Sequence, residues 1–226
     1  MDPISVALVK SGIPAAIKLA TEFLNKLFGP ASEEVGLLLG ERARTFRLRN
    51  MLKTLGKTQE MLKNASIEPK SVELRVLIPL LDGASLEDNE SLSVKWAALL
   101  ANATISGQAA NISQIFSNIL SQLSPTDALI LDNMELQSFS FGTSGETTEP
   151  FSFKGQIMES VSLKDEEYAF SIDNLRRLGL CIIDPPFFQG GVVNGKEFDM
   201  RQIRRDVIVI TELGLQFMRA CSEPAS

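Results

Sequence analysis

The chain contains no histidine among its 226 residues. That absence removes the commonest general base, the commonest metal ligand and the usual switch near neutral pH. Cysteine is almost as scarce. Cys181 and Cys221 stand far apart and form no CxxC pair, so a zinc site would have to be built from carboxylates, a poor match to zinc. Two buried thiols in a reducing compartment are the expectation, and no metal or cofactor is implied. No apolar run approaches the length of a membrane span. Pro3, Lys10 and Pro14 interrupt any signal-peptide layout, so a cytoplasmic location is expected. There is one tryptophan, Trp96, and one tyrosine. No glycine-rich phosphate loop and no serine–base arrangement can be found, and an enzyme is the last function class the residues suggest.

What is present is a globular composition with an uneven charge. Hydrophobic residues make up 44% and charged residues 22%, enough to bury a core. The net charge of −6 conceals a gradient. Residues 1–70 carry +4, residues 71–170 carry −10, and the remainder is neutral. Such asymmetry marks a basic functional face or charge matching between segments, and matching or plain solvation is preferred. An acidic total argues against a general nucleic-acid binder.

Residues 4–28 have helical periodicity, with Ile13, Ile17, Ala20, Phe23, Leu24, Leu27 and Phe28 on one side. Lys10, Lys18, Glu22, Asn25 and Lys26 fall on the other, and Pro14 suits a first turn. This pattern fits a bundle helix, which is preferred, and also a helix lying on a membrane surface. Residues 31–65 predict a basic helix, with Ser32 as N-cap and Leu48, Leu52, Leu55 and Leu62 near a heptad. Leu74, Leu77, Ile78 and Leu81 make a short stripe that Asp82-Gly83 is expected to end. Ser85 and Asp88 are spaced like a capping box for the next helix, whose buried face is Leu92, Trp96, Leu99, Leu100 and Ala103. Gly107 lies in a break. Ile112, Ile115, Phe116, Ile119 and Leu120 follow at helical spacing.

Ser124-Pro125-Thr126-Asp127 is a helix start: an N-cap, a first-position proline and an acid in the first turn. Residues 137–161, with alternating phenylalanines around GTSGETTE, read as a loose hairpin or loop. Residues 162–180 read as two short helices, with Ile172, Leu175 and Leu178 inward and Gly179 as a stop. Residues 181–183 and 207–210 predict strands on either side of a turn-rich excursion, and Thr211 caps a last helix. The fold class expected is therefore mainly α: a helical region over 1–123, then a winged helix-turn-helix-like α+β region over 124–226.

A winged helix that reads DNA sets the start of its third helix in the major groove. Here that start is Lys164-Asp165-Glu166-Glu167, and three carboxylates would repel the phosphates. Arg176 and Arg177 come at the far end; Arg201, Arg204 and Arg205 lie on the wing side. These arginines could touch phosphates or pair with acids such as Asp199 and Asp206, and pairing is preferred.

With this organisation, the chain resembles the Abi-alpha family of bacterial proteins linked to abortive phage infection. The resemblance is strongest over LIPLLDGASLEDNESLSVKWAALLANA at 77–103. It extends to FGPASEEVGLLLGERAR at 28–44, LSPTDALILDNM at 123–134, NLRRLGLCIID at 174–184 and ITELGLQFMRAC at 210–221. It implies a role in phage defence and supplies no active-site residues. The elbow acids Asp82, Glu87, Asp88 and Glu90 are read as solvated and capping groups. The expected function is a non-enzymatic defence protein acting through protein contacts. A membrane-perturbing effector peripheral to the inner membrane and a winged-helix DNA-binding regulator are the alternatives. The candidate interaction residues are Ile17, Leu24, Trp96, Arg176, Arg177, Arg204 and Arg205. Their partner is expected to be a protein or a second copy of the chain, with nucleic acid disfavoured and small molecules open. Trp96 is first a core candidate, because its large area favours burial.

Overall fold

The computed structural model describes residues 3–10, 12–28, 45–105, 110–134, 140–141, 146–147, 151–183, 191–193, 196–198 and 207–224. The protein is mainly helical with a small three-stranded sheet. It divides into two compact units, residues 1–122 with 220–226, and residues 123–219. The expected Ser32 cap, the break at Gly107 and the wing arginines lie outside the described residues.

The first unit contains α1 (Pro3–Lys10), α2 (Ile13–Phe28), α3 (Thr45–Asn64), α4 (Leu74–Leu86), α5 (Glu90–Ile105) and α6 (Ala110–Leu120). Gly12, with φ of +79°, separates α1 from α2, and Pro14 sits in the first turn of α2. The buried face of α2 is Ala16, Ala20 and Phe23, at i, i+4 and i+7. Ile17, expected in that face, is exposed.

Helix α5 is the centre of this unit. Its buried residues run all round, from Leu92 and Ser93 through Lys95 to Ala101, then Ala103 and Thr104, as befits a helix covered on every side. It is packed by α3, α4 and α6. Its start is capped by Asn89, whose Oδ1 accepts from the Leu92 N–H at 3.2 Å. The expected Ser85–Asp88 box does not form. Ser85 is still inside α4, where its hydroxyl donates to the Asp82 carbonyl at 2.7 Å. Gly83 likewise lies within α4 and does not end it. Ile78 and Ile115, both placed inward by periodicity, are exposed; Val76, Leu80, Ala84 and Ser117 take the interior with Leu77, Leu81, Phe116 and Ile119.

The second unit opens with α7 (Pro125–Asp132), started as the sequence predicts. Ser124 Oγ accepts from the Asp127 N–H at 3.1 Å, and Asp127 Oδ2 accepts from the Ser124 N–H at 2.8 Å. Strands β1 (Ser140–Phe141) and β2 (Glu146–Thr147) pair as a hairpin. Residues 151–161, expected in a loose segment, are instead strand β3 (Phe151–Phe153) followed directly by helix α8 (Lys154–Val161). The stretch read as two short helices is one, α9 (Asp165–Arg177), ended by Gly179 at φ +75°. Strand β4 (Cys181–Ile183) follows, then the hairpin β5 (Gly191–Val193) and β6 (Lys196–Phe198), strand β7 (Val207–Ile210) and helix α10 (Glu212–Ala220).

The sheet order is β3-β7-β4, antiparallel throughout. Cys181 pairs with Ile210 and Phe153 with Val207. All four residues of the central strand β7 are buried. Thr211 joins strand to helix: its hydroxyl donates to the Gly179 carbonyl at 2.6 Å and accepts from the Gly214 N–H at 2.9 Å. A β-carbon at Gly214 would fall 2.1 Å from the Leu180 carbonyl oxygen, so only glycine permits this approach.

Candidate functional site

In the first unit the acidic elbow meets the basic helix. Lys53 and Lys57 of α3 both reach Glu90 at the start of α5: Lys53 Nζ bonds Glu90 Oε2, and Lys57 Nζ lies 2.7 Å from Oε1. Lys57 also donates to Ser93 Oγ at 3.2 Å. The two ammonium groups hold the Glu90 carboxyl down at about 2, well below its ordinary 4.5. Arg47 approaches Asp82 at 3.8 Å, and Glu87 Oε1 accepts from the Asn89 N–H at 2.8 Å. Deeper along the same seam, Thr58 Oγ1 lies 2.9 Å from the Thr54 carbonyl and 3.1 Å from that of Ala97, and Asn50 donates to the Ser85 carbonyl. Asp82 and Glu90 thus reach across to the basic helix, while Glu87 bonds within the elbow, and the charge gradient along the sequence was the signal of the pairing. Among the described residues, no group of three or more Cys, Asp or Glu is placed to hold a metal ion. No described helix is long and apolar enough to cross a membrane.

Trp96 is 2% exposed. Its ring occupies the space that a side chain at Gly83 would need. The core reading of Trp96 therefore holds, and little of its surface is left for a partner. Ile17 is 37% exposed on α2. Leu24 lies on the same helix, but its side chain falls outside the described atoms, as do Arg204 and Arg205 altogether.

In the second unit, Asp165, Glu166 and Glu167 are all exposed at the first turn of α9. Asp165 pairs with Lys154 at 2.8 Å, and Glu167 Oε2 accepts from the Lys164 N–H at 3.3 Å. Acids here suit the positive end of the helix dipole. At the other end, Arg176 pairs with Asp173 at 3.2 Å, one turn before it in the helix. Arg177 donates from Nε and Nη2 to Asn174 Oδ1 at 3.1 and 2.8 Å. Asn174 in turn donates to Asp127 Oδ2 at 2.8 Å. The arginine is thereby linked through one amide to the buried capping acid of α7, a connection with no signature in the sequence because its members are 47 residues apart.

Cys181 and Cys221 are both buried, and no disulfide joins them. Burial pushes the Cys181 thiol up to about 12, against a smaller pull downward from Arg176. A thiol so protonated is a packing group and not a nucleophile.

No curated protein and no solved structure matches the chain. The family described as abortive infection alpha matches it over residues 47–221, from the basic helix through the capped elbow, the central tryptophan helix and the sheet to the last helix. This chain belongs to the abortive infection alpha family.

Proposed function

We propose that the chain is an anti-phage defence protein that works by binding another protein and carries out no reaction of its own. Its second unit is read as winged helix-turn-helix-like. After the β1–β2 pair that follows α7, the order β3, α8, α9, β4, β5–β6 pair, β7, with β7 between β3 and β4, supports that reading. In such a unit α9 is the helix that would enter a DNA groove.

The observation that carries the proposal is the exposed acidic start of α9. Asp165, Glu166 and Glu167 stand where a DNA reader needs neutral or basic side chains. Phosphate repulsion there leaves a protein surface as the natural counterpart. The two arginines at the far end are engaged with Asp173 and Asn174. The membrane reading has less support, since Ala16, Ala20 and Phe23 of α2 face the core. A cytoplasmic location accords with the contact mechanism.

The test is phage protection in cells. Neutralising Asp82, Glu87, Asp88 and Glu90 singly, as Asn or Gln, is expected to leave protection intact wherever the protein folds. A folded single variant that loses all protection would overturn the non-enzymatic reading. A specific operator complex tighter than about 10⁻⁸ M at physiological salt would restore the regulator. Sedimentation with anionic vesicles that Leu24→Asp abolishes would restore the membrane effector.

A further inference from the structure

We infer that the outward ridge of α9 is a docking face for a basic protein segment, with Phe170 as its anchor. The inference rests on reading the chain as a contact protein and names the chemistry of what it contacts. Phe170 is 76% exposed, the most exposed of the large apolar side chains described. Helix α9 buries Tyr168, Ser171, Ile172 and Leu175. Glu166, Phe170, Asp173 and Arg177 follow one another along the opposite side at helical spacing. The ring therefore stands between one acid a turn before it and another a turn after it.

Most of the acids along α9 have roles within the fold, whereas the Phe170 ring is left largely to solvent. Asp165 pairs with Lys154, Glu167 caps, and Asp173 holds Arg176. Glu166 makes no ion pair among the described residues. Acids in a first turn are favoured by the helix dipole, which accounts for the carboxylates and leaves a solvated phenylalanine unexplained. A large ring surrounded by polar groups has the form of a binding hot spot before its partner arrives. The charge then selects the partner. Lysines or arginines flanking an apolar pocket would complement Glu166 and Glu167, whereas nucleic acid or an acidic surface would be repelled.

The test uses the intact protein and a fluorescent amphipathic peptide of Leu and Lys, read by anisotropy beside its Leu/Glu counterpart and a duplex DNA. The Leu/Lys peptide is expected to bind. Phe170→Ala and Glu166→Lys are each expected to weaken it by about tenfold without lowering the melting temperature. Glu223→Lys, an equal charge change on an exposed residue of the other unit, is expected to leave binding unchanged. Unchanged binding by Phe170→Ala overturns the proposal, and so does an equal loss in Glu223→Lys, which would mean bulk charge attraction. A dimer dispersed by Phe170→Ala puts a second copy on the face and overturns it; DNA binding lost in that variant does the same for nucleic acid. Phage protection separates the two layers of argument. Peptide binding lost in Phe170→Ala with protection retained upholds the docking face and shows that defence does not act through it.

Discussion

A β-carbon on Gly83 would lie 2.3 Å from Cη2 of Trp96 and 2.7 Å from its Cζ2. The one tryptophan of the chain and a glycine inside α4 therefore form a single packing unit, in which the missing side chain of one is filled by the ring of the other. Glycine inside a helix costs about 1 kcal/mol relative to alanine, and close packing of a large ring offsets that cost.

Gly83→Ala is accordingly expected to destabilise the fold, although alanine is the better helix former. Overpacking costs about 1–3 kcal/mol, and Trp96→Ala about 3–5 kcal/mol. In the double variant the Gly83→Ala penalty should largely vanish, because the ring it strikes is gone. Urea denaturation of the four proteins measures the coupling; additive losses would separate the two residues.

Glu90 links stability to pH. Its folded value near 2 lies below the ordinary 4.5, so the unfolded chain takes up its proton first as pH falls. The stabilisation by Lys53 and Lys57 is present above the ordinary carboxylate range and is lost between 4.5 and 2. The wild-type advantage over Glu90→Gln should be level at neutral pH and disappear through that window. Because the Glu90 side chain is 65% exposed, added salt should shrink it as well. An advantage that grows on acidification would contradict this linkage.

At Gly214 the obstacle is backbone, the Leu180 carbonyl oxygen. Gly214→Ala is expected to cost more than about 2 kcal/mol, since the neighbour cannot rotate away. Thr211→Val, which keeps the shape and removes the hydroxyl that meets Gly179 and Gly214, should cost about 1–2 kcal/mol. Thermal melts of the two variants would rank these effects, and Thr211→Ser should recover most of the second.

The thiols should be silent in the native protein. With Cys181 raised to about 12 and both cysteines buried, a thiol reagent at neutral pH should react only as the chain unfolds. Its rate should follow denaturant concentration. Rapid stoichiometric labelling of the folded protein would show Cys181 to be accessible and its burial wrong.

Some local signals in the sequence held and others, the Ser85–Asp88 box and the stop at Gly83, gave way to packing. The N-cap at Ser124 with its first-turn acid Asp127, the stop at Gly179 and the Thr211 cap are each set within four residues, and all are present. The strands at 181–183 and 207–210 were legible from their β-branched runs, and they pair. Periodicity found most of the helices, missed α8 within the segment read as loose, and did not fix their orientation. Ile17, Ile78 and Ile115 sit at the margins of apolar stripes wide enough to be rotated either way, and only the neighbouring helices decided which members went inside.

The sequence by itself determined a helical protein with two cysteines, no histidine chemistry, an acidic start to α9 and the motifs of its family. Those follow from composition and from short-range spacing, which do not depend on what lies across the core. Only the tertiary structure decided that Gly83 continues a helix, because that depends on a ring 13 residues away. It alone placed Lys53 and Lys57 on Glu90, Arg177 on Asn174 and Asn174 on Asp127, and left Phe170 in water. Glycine tolerance, ion pairing and exposure are properties of what a residue meets in space, and one strand of sequence does not contain its own neighbours.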